Sequence, residues 1–430
     1  MRSISEIIKD FEGGAKDSRL LEIYMDMSKI SYQRARYIDA LIAYADEFAG
    51  GDRSGEVEFY SAPGRSEIGG NHTDHQHGNV LCASVNVDAI AVAGNKNPDT
   101  VRVLSKGYDV MTISLDDLDK KIEEEGTTIA LIKGVLFKIK ENGHNIGGFD
   151  AYITSDVLSG SGLSSSAAFE TIIATIISGL YNDMDIDAVE IAKIGQYAEN
   201  VYFGKPCGLM DQMACSVGSL CHIDFIHPEE PKIEKIDFDL ASVSYSLCIT
   251  DTKGSHADLT PDYAAVPKEM KEVAACFNKE VLREVPEEDF MREINTVRTK
   301  CGDRAVLRAL HFYGENRRAV EEAEALKKGD FYEFLRIFRL SGDSSYKYLQ
   351  NVYTNHDVGH QNVSIGIAIS DYVLKGRGVP RVHGGGFAGT MQAFVDDRAV
   401  AEYKTAMDRL YGEGACMVYK IRRFGGIKVI

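Results

Sequence analysis

The sequence predicts an α+β protein of two domains with a ligand site in the cleft between them. The chain has 430 residues, of which 44% are hydrophobic, and this is enough for two cores of ordinary size. Segments with strand and helix patterns follow one another without a strict repeat, which indicates an α+β architecture. Glycine-rich loops occur on both sides of the expected domain boundary, and ligands favour interdomain clefts.

Residues 1–55 are predicted to form a helical N-terminal extension. Helical spacing of apolar residues occurs in "SEIIKDF" and in "YQRARYIDALIAYADEF". The next segment, "GEVEFYSAPGR", alternates apolar and polar residues and ends in turn-forming residues, which predicts the first strand.

Residues 56–230 are predicted to form an N-terminal domain of strands and helices. Strands are predicted for "VLCASVNVDAIAVAG", "TVRVLSKG" and "GFDAYITSDV". Helices are predicted for "TTIALIKGVLFKIKENG", which Gly143 ends, and for "SSSAAFETIIATIISGLYN" and "DAVEIAKIGQYAENVYFG".

Residues 231–430 are predicted to form a C-terminal α+β domain. The boundary is placed at an acidic connector, "IHPEEPKIEKIDFD", which lies between the strands "LCHIDF" and "YSLCITDT". From Pro267 to Leu349 the pattern is helical and charged, and the last hundred residues return to strands through "VPRVHGGGFAGTMQAFV".

Charge and composition favour a small-molecule partner. A formal net charge of −17 repels nucleic acid and anionic lipid, although an acidic surface can still surround a basic phosphate pocket. No apolar run reaches the roughly 18 to 20 residues of a membrane helix, and the mixed-charge start "MRSISEIIKDFEGG" has no apolar signal core. The eight cysteines form no C-x-x-C pair. We therefore expect a cytoplasmic protein with reduced cysteines that binds neither nucleic acid nor membrane.

A glycine- and serine-rich loop, "SGSGLSSSAAFETIIA", runs from a predicted strand into an apolar helix. Glycines allow a ligand to approach the backbone, and the free N–H groups at a helix start attract phosphate. The simpler alternative is a helix capped by serine after an ordinary loop, which a G-x-G loop alone would favour. The triple serine shifts the balance towards a phosphate site.

Two further motifs carry polar chemistry. In "GKPCGLMDQMAC", Asp211 follows a glycine turn and comes after a helix that contains Glu199, so it is a candidate catalytic acid as well as a candidate helix cap. In "RVHGGGFAGTMQAFV", four glycines interrupt a strand, which predicts either a tight bulge or a backbone wall against phosphate or sugar.

A histidine-rich cluster in "SAPGRSEIGGNHTDHQHGNVL" raises the alternative of a metal site. The spacing H-x-D-H-x-H over residues 72–77 fits none of the usual metal motifs, however. A loop that binds a polar ligand is therefore the preferred interpretation.

Taken in order, "APGR…HTD", "GSGLSSSAA", "CGLMDQ" and "GGGFAG" resemble the galactokinase branch of the sugar, homoserine, mevalonate and phosphomevalonate kinases (GHMP kinases). The resemblance extends from about residue 56 onward and implies that residues 56–230 form the domain that binds substrate and ATP. It implies a two-domain GHMP kinase-like fold, transfer of the ATP γ-phosphoryl group to the anomeric hydroxyl of a galactose-like sugar, ATP and Mg²⁺ as cofactors, and a monomer.

The resemblance also assigns roles to residues. Asp211 is expected to orient and deprotonate the sugar hydroxyl, with Arg65 as its cationic partner. Ser166 or Ser165 is expected to hold magnesium with Glu199. Gly385 lines the site, and sugar hydroxyls are expected to bind Asn71, His72, Asp74 and Tyr263. The ATP phosphates are expected to bind the loop formed by Gly160, Ser161, Gly162, Leu163, Ser164, Ser165 and Ser166.

Departures from the family pattern concern the substrate. Galactokinases usually read "GRVNLIGEHTDYN" where this chain reads "GRSEIGGNHTDHQ", so Asn71 replaces the glutamate that normally accepts from the sugar 6-hydroxyl, and His75 replaces a tyrosine. Asn71 is compatible with a 6-hydroxyl or with a 6-carboxylate. His383 replaces a small hydroxyl residue, and the chain has no tryptophan for the adenine pocket. Galactokinase is the leading function. The alternatives are a related 1-kinase for galacturonate, N-acetylgalactosamine or arabinose, and a non-catalytic sugar and ATP sensor.

Overall fold

The computed structural model describes residues 2–95, 97–157, 162–254, 259–387 and 389–430. Within these ranges the strands form one sheet of nine strands and a second sheet of four, with helices packed around both. The predicted α+β fold is confirmed. No helix in the described part of the chain is both long and apolar enough to cross a membrane.

A long hairpin organises the first sheet. Strand β2 (Glu56–Gly69) pairs antiparallel with β3 (Asn79–Gly94), and the register shifts between Pro63 and Arg65 and again after Glu67. Such irregularities bend a strand and redirect its side chains. The hairpin connection at residues 70–78 contains the histidine-rich cluster, so the bent end of the hairpin presents it.

The N-terminal extension is helical, as predicted, and it covers one face of this sheet. Its two-residue strand β1 (Arg2–Ser3) pairs with β2, and its helices are α1 (Ile4–Glu12), α2 (Asp17–Tyr24) and α3 (Ile30–Ala49). The helices bury apolar side chains against Phe59 and Ile90 of the hairpin. The buried guanidinium of Arg36 on α3 forms an ion pair with Asp88 on β3 at 2.7 Å.

The other face of the first sheet is covered by helices, one of which begins directly after the glycine- and serine-rich loop. The remaining strands are β4 (Thr100–Ser105), β5 (Met111–Ser114), β6 (Asp150–Ser155), β7 (Leu220–Asp224), β8 (Lys232–Ile236) and a late strand, β13 (Ile427–Lys428), which pairs with β2. The helices are α4 (Thr128–Glu141), α5 (Ser165–Tyr181), α6 (Ala188–Tyr197) and α7 (Met210–Val217). Because both faces of β3 are covered, every residue of this strand is buried.

The second sheet has the order β10-β11-β9-β12 and packs against the bent end of the hairpin. Its strands are β9 (Tyr245–Asp251), β10 (Gly378–Val382), β11 (Thr390–Asp396) and β12 (Cys416–Tyr419). The helices of this part are α8 (Thr260–Ala275), α9 (Glu287–Arg292), α10 (Ile294–Cys301), α11 (Asp303–Lys327), α12 (Phe331–Ser344), α13 (Asn362–Leu374) and α14 (Val400–Tyr411).

Three local expectations differ from the structure. The last hundred residues do not simply return to strands: beyond the predicted helical region, which ends at Leu349, the helices α13 and α14 lie beside the strands and cover the second sheet. The acidic connector contains strand β8, and Pro267 lies inside α8 rather than at the start of the helical region. The domain limits 1–55, 56–230 and 231–430 stay a prediction. Strand pairs cross each limit: β1 with β2, and β7 with β8.

Candidate active site

An ion pair between Arg65 and Asp211 lies at the centre of the site. Arg65 projects from the irregular part of β2, and Asp211 lies in the first turn of α7. The arginine Nε donates to Asp211 Oδ1 at 2.6 Å and its Nη2 donates to Oδ2 at 2.5 Å. Burial opposes ionisation, but Arg65 and the hydroxyl of Ser164 outweigh it and lower the pKa of Asp211. The site therefore holds an ionised carboxylate beside a fixed cation, and the aspartate side chain is 30% exposed.

The glycine- and serine-rich loop, predicted to bind phosphate, lies against this pair. Gly160 and Ser161 fall outside the described residues, whereas the loop from Gly162 onward leads directly into α5. Arg65 Nη1 donates to the carbonyl of Gly162, and the Arg65 amide donates to Leu163 O at 3.0 Å. The N-cap residue Ser164 has a left-handed φ of 57° and does not cap the helix with its side chain. The start of α5 therefore lies beside the Arg65–Asp211 pair, and the helix dipole favours an anion at this end.

Glu199 lies in a π-helical turn (Ala198–Phe203) that continues α6, and such turns are frequent at functional sites. Its Oε1 accepts from the hydroxyl of Ser166 at 3.3 Å and from Lys205 Nζ at 2.9 Å. Its Oε2 accepts from Gln212 at 2.9 Å, and Gln212 also donates to the buried Glu170. Hydroxyl and carboxylate oxygens are ligands that Mg²⁺ prefers, so Ser166 and Glu199 fit the ion predicted for them.

The connection between β2 and β3 lies against two of the other motifs. His72 Nε2 donates to the carbonyl of Gly385 at 3.1 Å, and burial together with His75 lowers the pKa of His72 to about 4. The imidazole is therefore neutral, and in this tautomer its Nδ1 is an acceptor. A Cβ on Gly208 would lie 2.4 Å from Asp74 Oδ2, so glycine at this position lets the "CGLMDQ" segment approach the cluster.

Tyr263, near the start of α8, packs on the third motif. Its hydroxyl donates to Gly386 O at 2.7 Å. A Cβ on Gly385 would lie 2.6 Å from a ring carbon of Tyr263, which explains why a side chain is absent at that point of the loop. The structure thus brings together Arg65, the hairpin connection, the phosphate loop from residue 162, Asp211 and the loop around Gly385.

Asn71 is the predicted site residue whose surroundings differ most from expectation. It is completely buried, and both its amide N–H groups and its amide oxygen are hydrogen-bonded within the protein. An amide that is already saturated has no free group for a sugar hydroxyl. Its assignment as a sugar ligand stays a prediction that this geometry does not favour.

Sequence reasoning missed a buried polar layer below the site. His383 is buried between Ser66 and Thr390, with ring nitrogens 3.1 Å and 3.0 Å from their hydroxyls. Burial, followed by Arg65 and Arg381, lowers the pKa of His383 to about 3, so this imidazole is neutral. The sequence carried one signal for this layer, because His383 stood out as a departure from the family pattern.

The layer also contains an ion pair between Glu67 and Arg381 at 2.6 Å, with side chains 6% and 0% exposed. Glu315 of α11 accepts from Ser341 Oγ at 2.5 Å and forms an ion pair with Arg318 at 2.8 Å. No local pattern marks these residues, since their partners lie far away in the sequence or look like ordinary helix-surface charges.

Comparisons with known proteins agree with this geometry. The model of the GHMP kinases N terminal domain matches residues 130–219, and the galactokinase galactose-binding signature matches residues 43–95. The galactokinase of Pyrococcus furiosus is 30% identical over 341 residues, which cover 78% of this chain and 88% of that protein. The chain belongs to the galactokinase family. The family predicted from the four motifs is therefore confirmed, and with it a sugar kinase class of enzyme.

Other members of the family and its structural relatives support this placement. The galactokinase of Streptomyces coelicolor is 28% identical over 351 residues, covering 81% of this chain and 87% of that protein. The crystal structure of Lactococcus lactis galactokinase complexed with galactose matches with a TM-score of 0.76 at 23% identity, covering 91% of this chain and 100% of the other. The mevalonate kinase of Methanococcus jannaschii matches with a TM-score of 0.61 at 14% identity. These structural matches show the GHMP kinase fold.

Proposed function

We propose that this family member is a galactokinase, which transfers the γ-phosphoryl group of ATP to the anomeric hydroxyl of galactose. The observation that carries the proposal is the bidentate Arg65–Asp211 pair, located between the helix start that suits phosphate and the hairpin connection that suits a sugar. A phosphoryl transfer site needs this order of parts, because the attacking hydroxyl must lie in line with the transferred group.

Asp211 is proposed as the group that orients the sugar hydroxyl and accepts its proton. Its lowered pKa keeps it ionised before the reaction, so it is ready to accept. Arg65 is proposed to stabilise the negative charge that develops on the attacking oxygen, because a fixed guanidinium in a partly closed site needs no reorganisation during the step. Its contact with Gly162 O also aligns the pair with the phosphate loop.

The phosphates of ATP are proposed to bind the loop around residues 160–166, and Gly385 is proposed to line the site. Ser166 and Glu199 are proposed as the magnesium ligands. When bound, Mg²⁺ would neutralise phosphate charge. Lys205 is paired with Glu199 in this structure, and its 62% exposed side chain is free to turn towards solvent when a cation takes the carboxylate.

The sugar is proposed to bind His72, Asp74 and Tyr263. In support, His72 and Tyr263 bond to the loop around Gly385, and Asp74 lies against Gly208, which precedes Asp211 by three residues. The neutral His72 supplies an acceptor nitrogen, and Asp74 supplies a carboxylate whose side chain is 15% exposed. Both groups suit the dense hydroxyl pattern of a sugar.

Phosphorylation of a panel of sugars with labelled ATP tests the function. The panel contains galactose, galacturonate, N-acetylgalactosamine and arabinose, and the position of the phosphate is read by NMR. Galactose 1-phosphate is the expected main product. A higher kcat/KM for another member would make the chain a different sugar 1-kinase. Binding of sugar and ATP without any transfer would make it a sensor.

The oligomeric state and location are proposed from family habit and composition alone. We propose a monomer in the cytoplasm that binds neither nucleic acid nor membrane. Sedimentation of the purified protein near its monomer mass of 47.4 kDa is the expected result.

A further inference from the structure

All the hydrogen-bonding groups of the Asn71 side chain are engaged by five protein atoms. Its Nδ2 donates to the two carboxylate oxygens of Glu67 at 3.0 Å and 3.2 Å, and to the carbonyl of Gly384 at 2.8 Å. Its Oδ1 accepts from Asn351 Nδ2 at 2.9 Å and from the hydroxyl of Ser345 at 3.3 Å. An amide offers two donor hydrogens and two lone pairs, and all four are used here.

The backbone of the same residue is held from the opposite side by α11. Glu315 Oε1 accepts from the amides of Gly70 and Asn71 at 3.2 Å and 3.3 Å. His311 Nε2 donates to the carbonyl of Asn71 at 2.9 Å. The residue is therefore fixed at every polar atom, and its own side chain is the part that reaches the glycine loop.

These bonds join two loops of the proposed active site. Asn71 immediately precedes His72, which has a left-handed φ of 59° and bonds Gly385 O. Asn351, the donor to Asn71, also donates to Gly385 O at 3.2 Å. The hairpin connection and the glycine loop are thus tied together three times: by Asn71, by His72 and through Asn351.

The carboxylate of this region has changed position relative to the family pattern. The pattern has asparagine at position 67 and glutamate at position 71, and this chain has Glu67 and Asn71. Glu67 still bonds Asn71, but its charge is paired with Arg381, and only 5% of the residue is exposed. Neither Glu67 nor Asn71 therefore presents a charge to a ligand.

We propose that Asn71 is a positioning residue that fastens the hairpin connection to the glycine loop, and that it does not contact the sugar 6-substituent. This assignment rests on the proposed sugar kinase function. The assignment refines that function, because it removes the contact with the sugar 6-position from the residue where the family pattern places this contact.

Replacing Asn71 by aspartate tests the proposal with almost no change in size. N71D turns the donor amide into an acceptor that faces Glu67 and Gly384 O, so the loop loses its fixed position. We expect the KM for galactose to rise about tenfold or more while the KM for ATP and kcat change little. The same factor is expected for 6-deoxygalactose, measured as a substrate or as a competitive inhibitor, because the lost contact does not involve the 6-hydroxyl.

A second buried asparagine provides a matched control. Asn86 on β3 donates to Tyr24 O at 2.8 Å and accepts from the amide of Lys420 at 2.9 Å, and neither partner belongs to the hairpin connection or the glycine loop. N86D makes the same chemical change in a buried, satisfied amide. We expect it to lower thermal stability, as N71D does, and to leave both KM values unchanged.

Each outcome decides between the alternatives. A change in the ratio of galactose to 6-deoxygalactose in N71D, or an unchanged KM for galactose, would overturn the proposal while the sugar kinase function stands. If N71D fails to fold, N351A removes one of the three ties and should raise the KM for galactose roughly fivefold with the sugar ratio unchanged. No turnover by the unmodified enzyme with any sugar would refute the proposed function, and the positioning role with it.

Discussion

Two groups of ionisable side chains each include one residue of β2, Arg65 in one group and Glu67 in the other, but they differ in what they can bind. The cleft group consists of Arg65, Asp211 and Glu199. The side chains of Arg65 and Asp211 are 12% and 30% exposed, and the buried Glu199 is paired with the exposed Lys205. The buried group consists of Glu67, Arg381, Glu315 and Glu322, and each of these residues is at most 5% exposed. The cleft group is proposed to exchange its partners for ligands. In the buried group, Glu67, Arg381 and Glu315 are bonded to protein atoms and hold loops in place. Glu322 belongs to the same buried group but has no hydrogen-bond partner among the described residues.

The buried group shows how strongly a partner controls ionisation. Glu315 and Glu322 lie two turns apart on α11, and both are completely buried. Burial opposes ionisation of Glu315, but Arg318, His311 and Arg381 lower its pKa to about 2. Both oxygens of Glu322 lack a hydrogen-bond partner in the described part of the chain, and burial with repulsion from Glu315 raises its pKa well above the usual range.

Removing either member of the cleft pair is expected to have the largest effect. Asp211→Asn removes the proton acceptor and Arg65→Ala removes the charge beside the attacking oxygen. Each should lower kcat about 10²-fold to 10⁴-fold with little loss of folded structure by circular dichroism.

Arg102 offers a matched control for this prediction. Arg102 bonds Asp150 with the same bidentate geometry, at 2.7 Å and 2.6 Å, but it lies on β4. Arg102→Ala should keep kcat near that of the unmodified enzyme. Near-normal turnover in Asp211→Asn or Arg65→Ala would remove the distinction between the two groups.

Breaking the buried ion pair between Glu67 and Arg381 is expected to act mainly on the stability of the fold. Arg381→Met leaves Glu67 without its cation in a site closed to water, so the free energy of unfolding should fall by about 3 kcal/mol or more in urea titrations. The control is Arg398→Met, which removes an arginine whose side chain is 86% exposed from its pair with Asp396. The control should change stability by about 0.5 kcal/mol or less. Similar losses in both variants would show that burial does not distinguish these pairs.

A smaller change is expected at the proposed metal position of the cleft group. Glu199→Gln removes the charge next to Ser166, and we expect the Mg²⁺ concentration for half-maximal activity to rise about tenfold. The exposed Glu230→Gln serves as the control and should leave the titration unchanged. An unaltered magnesium requirement in Glu199→Gln would exclude Glu199 as a ligand.

The pH dependence of stability gives the smallest and most local test. The unfolded chain ionises Glu322 above a pH of about 4.3, whereas the folded protein keeps it protonated because its pKa is raised. Unfolding therefore releases a proton, and the free energy of unfolding falls as pH rises, by up to about 1.4 kcal/mol per pH unit.

The glutamine in Glu322→Gln cannot ionise. The free energy of unfolding of this variant, measured by the same urea titrations, should therefore fall less between about pH 5 and pH 7. Glu321→Gln, an exposed neighbour on α11, should keep the slope of the unmodified protein. Equal slopes in all three proteins would mean that Glu322 is ionised in the folded state.

The sequence by itself determined the parts of this protein that depend on local chemistry. Helical periodicity located the N-terminal extension, and the glycine and serine motifs located the loop that leads into α5 and the turn before Asp211. These features follow from φ angles, helix caps and short spacings, which neighbouring residues settle among themselves.

Only the tertiary structure decided which polar groups are free for a ligand. Asn71 looked like a sugar ligand in the sequence, but its amide is used by Gly384 and Asn351, which lie 313 and 280 residues away. Glu67 and Arg381 likewise become partners across 314 residues. A polar side chain reaches a substrate only if no protein group has already satisfied it, and that depends on long-range packing that leaves no local signal in the sequence.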